Sequence, residues 1–130
     1  MNYLIEPLKR TFDFSNRATR MQFWLFDLWM IGIIIASVLL DVFIGTDQFL
    51  DGTGLFTTIV YLLVIIPHLS ITIRRLHDIG KSGWWILVNA IPFIGGIFML
   101  IMMCTDSEGD NIYGQSLKYP SMPPLQGEPQ

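Results

Sequence analysis

Hydrophobic residues along this chain gather in three long runs, at positions 22–44, 55–73 and 84–104, with polar residues collected in the short stretches between them. Each run is close to the ~20 residues that an α-helix needs to cross a hydrocarbon core of ~30 Å. The pattern predicts an all-α integral membrane protein, a bundle of three transmembrane helices. Ahead of the first run, Leu4, Leu8 and Phe12 recur at intervals of four beside Lys9 and Arg10. That spacing predicts a short amphipathic helix lying in the interface over residues 2–14, with Pro7 tolerated in its first turn. Beyond the last run, Pro120, Pro123, Pro124 and Pro129 leave little to build a core, so residues 120–130 are expected to be a disordered tail. Residues 1–119 then form one membrane domain.

Composition agrees. Of 130 residues, 52% are hydrophobic and 15% charged, and the mean hydropathy is +0.48, poor values for a soluble fold of this size. The net charge of -3 matters less than where the charges sit. Lys9, Arg10, Arg17 and Arg20 precede the first run, Arg74, Arg75 and Lys81 separate the second from the third, and residues 45–54 carry no cation. The positive-inside rule therefore places the N-terminus and the 74–83 turn in the cytoplasm of a plasma membrane. Three crossings would put the C-terminus on the periplasmic or extracellular side. The first run starts only after about 20 residues and is too long for the h-region of a signal peptide, so it is expected to be retained. Cys104 is the only cysteine, which excludes an intrachain disulfide and a cysteine-based metal cluster.

Polar residues inside the runs carry the next information, because an intramembrane Asp costs roughly 2.5–3.5 kcal/mol and is usually turned inward and paired. Asp27, His68 and Asn89 each lie five residues from the cytoplasmic end of a run, about 8 Å deep at 1.5 Å per residue. They are expected to face one another in a single layer. The first reading of that layer is a hydrogen-bonded packing clamp, and the second a proton relay or substrate site. Pro67 and Pro92 are expected to kink their helices at comparable depths.

On the cytoplasmic side, Arg17, Arg20, Trp24 and Asp27 follow a spacing of i, i+3, i+7 and i+10, which predicts one helical face. Arg74 and Arg75 end the second run, with Asp78 placed to pair with Arg74. Gly80 and Gly83 break the helix, and Trp84 and Trp85 anchor the third run at headgroup level, as Trp24 does for the first. Arginine forks suit phosphate. Arg17, Arg20, Arg74, Arg75, His77, Asp78, Lys81 and Ser82 are thus candidates for holding an anionic lipid headgroup or another anion. Topology signalling and lipid anchoring account for Arg17, Arg20 and Lys81 without a ligand, whereas Arg74-Arg75 with His77 and Asp78 exceeds what topology needs.

Other signals are weaker. The acidic alternation at Asp106, Glu108 and Asp110 is not an EF-hand, since Asn111 stands where glycine is needed and Leu117 where a bidentate glutamate belongs. His68 and His77 lack a third ligand for a metal. No cofactor, catalytic residue or nucleic-acid partner is expected.

Asn16-Arg17-Ala18-Thr19-Arg20 followed by Gln22-Phe23-Trp24, the RRLHDIGKSGWW stretch of residues 74–85, Ile91-Pro92-Phe93-Ile94-Gly95, and Asn111-Ile112-Tyr113-Gly114 together resemble the family called domain of unknown function 805. The likeness runs in order from Phe12 to Pro120, departing at Ser15-Asn16, where the family usually has a glycine before the first arginine. It implies a small bacterial inner-membrane protein and assigns no activity. The leading expectation is a non-enzymatic membrane protein that binds anionic lipid and is a homo-oligomer or a membrane partner's subunit. A small transporter, channel or accessory subunit using Asp27, His68 and Asn89 comes second. An enzyme acting on a lipid headgroup, with His77 as general base, comes third.

Overall fold

The computed structural model describes residues 5–119. Among them the chain is helical: α1 (Glu6–Lys9), α2 (Arg20–Ile44), α3 (Leu55–Asp78), a 3-10 helix (Gly83–Ala90) and α4 (Ile94–Cys104). The described residues divide into two compact units, one from residues 5–14 and 21–72, the other from residues 15–20 and 73–119.

The first unit is built on α2 and α3, at 25 and 24 residues both long and apolar enough to cross a membrane. Phe23, Phe26, Met30, Ser37 and Asp41 are the buried positions of α2, spaced by three, four or seven, the stripe of a helix packed along one side. The end of this pair at the 45–54 loop is held by Asp41. Its carboxylate accepts from the backbone N–H groups of Phe56 (2.9 Å) and Thr57 (2.8 Å) and from the hydroxyls of Thr57 (2.7 Å) and Thr46 (2.6 Å). An acid at the end of one helix thereby caps the exposed N–H groups that open the next. Gly54 makes this possible: a Cβ there would lie 2.0 Å from the Asp41 Cγ. The loop between the helices closes through reciprocal hydrogen bonds of Leu50 and Thr53, with Asp51 and Gly52 at positive φ, the backbone of a type I′ turn. Replacing Asp41 with alanine strands the donors at the start of α3. The melting temperature in detergent should fall by about 5 °C or more; an unchanged melt would show the anchor to be dispensable.

The N-terminal segment is shorter than its periodicity suggested. Among its described residues only Glu6–Lys9 is helical, with Pro7 in the first turn, and the chain bends over residues 10–13 where Asp13 N–H donates to Arg10 O. Phe12 is 82% exposed instead of continuing a helical face. Leu4 and the start of the expected helix lie outside the described residues, as does the tail expected from Pro120. Ser70 of α3 reaches the carbonyls of Arg10 and Asp13, and Gln22 of α2 donates to Glu6, so the segment is tied to both long helices.

The second unit departs most from expectation. In place of one helix over 84–104 there are two short ones that fold back on each other. The 3-10 helix spans about 16 Å and α4 about 16 Å, and neither alone crosses a core of ~30 Å. Trp85 and Phe98, thirteen residues apart, stack at 5.9 Å. Pro92 does not kink a continuous helix; the chain reverses at Ile91-Pro92-Phe93, where Phe93 has φ of 64° and Ile94 N–H donates to Pro92 O, a γ-turn. Gly95 permits the close return, since a Cβ on it would sit 2.0 Å from the Val88 carbonyl oxygen. The hairpin brings residues 105–116 back onto the 74–78 turn, so the tail expected on the far face of a membrane packs beside that turn.

Candidate functional site

The RRLHD turn is a helix terminus finished by a glycine. Gly80, at φ of 72°, donates to His77 O (3.1 Å) while Lys81 N–H donates to Leu76 O (2.9 Å), the two bonds of a Schellman motif. Residues 15–19 precede α2 as non-helical chain, so Arg17 does not share a helical face with Trp24 and Asp27. Ala18 N–H donates to Arg74 O (3.0 Å) and lays this segment against the end of α3.

Arg17 then becomes the hub. Its Nε donates to Asp78 Oδ1 (3.0 Å), its Nη1 to the carbonyls of Gly109 (2.8 Å) and Gly114 (3.0 Å), and its Nη2 to those of Asp78 (3.0 Å) and Glu108 (2.6 Å). A guanidinium has five N–H donors, and five acceptors meet them. Arg75 donates through Nε to Met103 O (3.4 Å), through Nη1 to Asp78 Oδ2 and through Nη2 to Thr105 O. Ser107 Oγ donates to the same Asp78 oxygen. The carboxylate thus pairs with Arg75 and Arg17, not with Arg74 as the spacing suggested. The Arg17, Arg75 and Asp78 side chains are 0–1% exposed, so this cluster is closed to outside ligands.

Residues 105–119 form a strap over the cluster. Glu108 N–H donates to Asp78 O (2.9 Å) and Asn111 Nδ2 to His77 O (3.0 Å). The His77 ring lies flat on Tyr113, 3.9 Å between centroids and 3° between planes, with its Nδ1 3.2 Å from Asn16 O. At the far end Lys118 and Tyr119 hydrogen-bond Asp106 and hold its carboxyl down at about 2. The sequence drew attention to Asp106, Glu108 and Asp110 only as a rejected calcium loop, and to no strap residue as a cover for the arginines. The Asn111-Ile112-Tyr113-Gly114 block of the family likeness was the signal that could have found it.

The remaining candidates point elsewhere. Arg74 is buried. Arg20 is exposed at the start of α2 and donates to Cys104 O (3.2 Å), meeting a carbonyl at the end of α4. Lys81 is exposed and stands 5.5 Å over the Trp85 ring; Trp84 is 79% exposed. Ser82, Trp84, Trp85, Leu87, Val88 and Ile91 line a shallow, mostly apolar groove of about 380 Å³. Of the expected polar layer, Asp27 and His68 come together in the first unit at 3.3 Å (Oδ1 to Nε2), with Phe23 against the imidazole. Asn89 is exposed on the 3-10 helix of the second unit and does not occupy an α-helical span. Among the described residues no group of three or more His, Cys, Asp or Glu side chains could hold a metal.

Comparison with known proteins finds relatives that are inner-membrane proteins. The pattern of a family described as "Protein of unknown function (DUF805)" matches residues 11–115, a stretch that begins just before the Arg17 segment and ends within the strap. The chain is 36% identical over 119 residues to "Inner membrane protein YhaH" of Escherichia coli (strain K12), covering 91% of this chain and 98% of that protein. It is equally 36% identical over 124 residues to "Inner membrane protein YhaI" of the same organism, covering 93% and 99%. A more distant relative, "Uncharacterized protein YiiR", is 28% identical over 139 residues. No solved structure matches. With the match spanning Arg17, the RRLHD turn and the strap residues that close over them, the chain belongs to the DUF805 family of proteins of unknown function.

Proposed function

We propose that this is a non-enzymatic inner-membrane protein whose cytoplasmic face holds anionic phospholipid through Arg20, Lys81 and Ser82 beside the Trp84–Trp85 pair. One observation carries the reading. In the unit that contains the RRLHD turn, Arg17, Arg74 and Arg75 are buried, while Arg20 and Lys81 remain exposed, Lys81 next to the exposed Trp84. Cations flanked by tryptophan suit the headgroup level of a membrane, and each contributes about 1 kcal/mol toward an anionic surface. Arg17 and Arg75 contribute to the fold instead.

In this arrangement α2 and α3 cross the membrane, the hairpin of residues 83–104 enters and returns on one face, and residues 15–20, 74–83 and 105–119 share the cytoplasmic side. The cation-free loop of residues 45–54 faces the periplasm, which satisfies the positive-inside rule. Acidic residues of the strap weigh little in that rule. Retention of phosphatidylglycerol by the purified protein in native mass spectrometry tests the headgroup role. Changing Arg20→Gln together with Lys81→Gln should lower the retained lipid about thirty-fold. Equal retention by a variant with an unchanged melting temperature would end the proposal.

A second reading, a small transporter or accessory subunit, has the Asp27–His68 contact in its favour, without Asn89 as third member. For catalysis by His77 there is less support. The ring is buried beneath Tyr113 and its Nδ1 is engaged by a backbone carbonyl.

A further inference from the structure

The strap closes over the arginine cluster through polar contacts. Among the described residues 105–119 only Ser107 and Ser116 are buried, while Ile112 is 90%, Leu117 53% and Tyr119 52% exposed. The Tyr113 ring is half-buried where it rests on His77. Segments that bury so little apolar surface open at low free energy, and ligand-binding loops are drawn from them. The strap carries three carboxylates, yet it meets the arginines with neutral carbonyls. Asp106 accepts from Lys118 and Tyr119, Glu108 from Asn111, and Asp110 from the Ser116 N–H. Arg17 sets one edge, Nε and Nη2, on the Asp78 carboxylate and turns the other, Nη1 and Nη2, to the carbonyls of Glu108, Gly109 and Gly114. Arg75 Nη2 donates to Thr105 O in the same way. Two guanidiniums thus share a single carboxylate, which leaves one positive charge matched only by backbone dipoles.

We propose that this cluster is a latent site for a phosphate group and that the strap is its displaceable plug. When residues 105–116 lift, Arg17 Nη1 and Nη2 and Arg75 Nη2 lose the strap carbonyls together. Asp78 stays between the two forks and keeps them side by side. A phosphate group brings charged oxygens to a guanidinium edge in bidentate geometry and is a stronger partner than a neutral carbonyl. Phosphate and strap therefore compete for the same donors. Inorganic phosphate, a soluble phosphate ester and an anionic phospholipid headgroup all share that chemistry. The site uses none of Arg20, Lys81 or Ser82, so the inference does not rest on the headgroup reading. That reading is tested by lipid retention and this one by opening of the strap, and either can fail alone.

Limited proteolysis of the full-length protein in detergent with a nonspecific protease, read between residues 105 and 116, tests it. Replacing chloride by inorganic phosphate at constant pH and ionic strength should accelerate cleavage to a plateau about ten-fold above the chloride rate, as expected for a ligand that binds only the open form. Changing Asn111→Ala together with Tyr113→Ala removes the strap's contacts with His77 and leaves every arginine in place. That variant should bind phosphate about ten-fold more tightly in a phosphorus NMR titration, because more of it is open beforehand. Reconstitution without inorganic phosphate separates the sources of the group. Faster cleavage in phosphatidylglycerol than in phosphatidylcholine vesicles assigns the site to an anionic headgroup, and equal cleavage in the two, with the inorganic phosphate response present, assigns it to a soluble phosphate. Cleavage at the same rate in phosphate and chloride would overturn the proposal. So would equal phosphate affinity of the folded variant and the unaltered protein. If the variant fails to fold, the comparison of phosphate with chloride on the unaltered protein decides the question.

Discussion

Replacing Asp78 with alanine should detach the strap and cost roughly 3–5 kcal/mol, the usual penalty for removing one partner from a buried ion pair. The size follows from what is left behind. Asp78 has no exposed side-chain surface and lies between two guanidiniums that are themselves buried, so its loss strands two positive charges away from water. Ser107 loses its acceptor as well. Proteolysis between residues 105 and 116 should become rapid, while far-ultraviolet circular dichroism retains most of the signal of α2 and α3, whose residues 21–44 and 55–72 belong to the other unit. The Arg17→Ala/Asp78→Ala double variant should lose clearly less than the sum of its single changes, because the two groups act as one unit. A strap as protease-resistant in Asp78→Ala as in the unaltered protein would mean that the cluster does not hold it.

The second large effect is all-or-none and concerns sidedness. An impermeant maleimide applied to Cys104→Ser protein should label Ser15→Cys and Leu117→Cys from one side of the membrane and Gln48→Cys only from the other. Residues 105–116 hydrogen-bond directly to Arg17, Arg75 and Asp78, at distances such as 2.6 Å from Arg17 Nη2 to Glu108 O, and such contacts cannot span a bilayer. Inverted vesicles should reverse the labelling of all three positions together. If Leu117→Cys labels with Gln48→Cys, residues 83–104 cross the membrane as a third span and the Arg17 cluster cannot form as described. That outcome would restore the topology suggested by hydrophobic length alone.

Much of this protein was legible from local pattern. Two helices of 25 and 24 residues stand where long apolar runs put them, because a run of that length has no alternative way to satisfy its backbone in hydrocarbon. Asp27 and His68 meet as their depths suggested. The third run shows where that logic stops. Its apolar content is that of a span, yet Pro92, the strained Phe93 and the glycine at 95 turn it back on itself. Hydropathy counts residues and does not register where the chain reverses.

The arginines divide in the same way. Their number and position along the chain determined the sidedness signal and marked the turn as unusual. Which of them face outward was decided only in three dimensions, by the return of residues 105–116. That return sets the carbonyls of Glu108, Gly109 and Gly114 around Arg17, ninety or more positions away in the chain. A guanidinium is recognised as ligand-binding or structural by what meets its five donors, and backbone carbonyls carry no signature in an amino-acid sequence. The sequence by itself therefore determined the two long apolar helices, the basic turn and the family. The tertiary structure alone decided that the turn is sealed by its own C-terminal strap, because burying those charges requires acceptors from segments that only folding brings together.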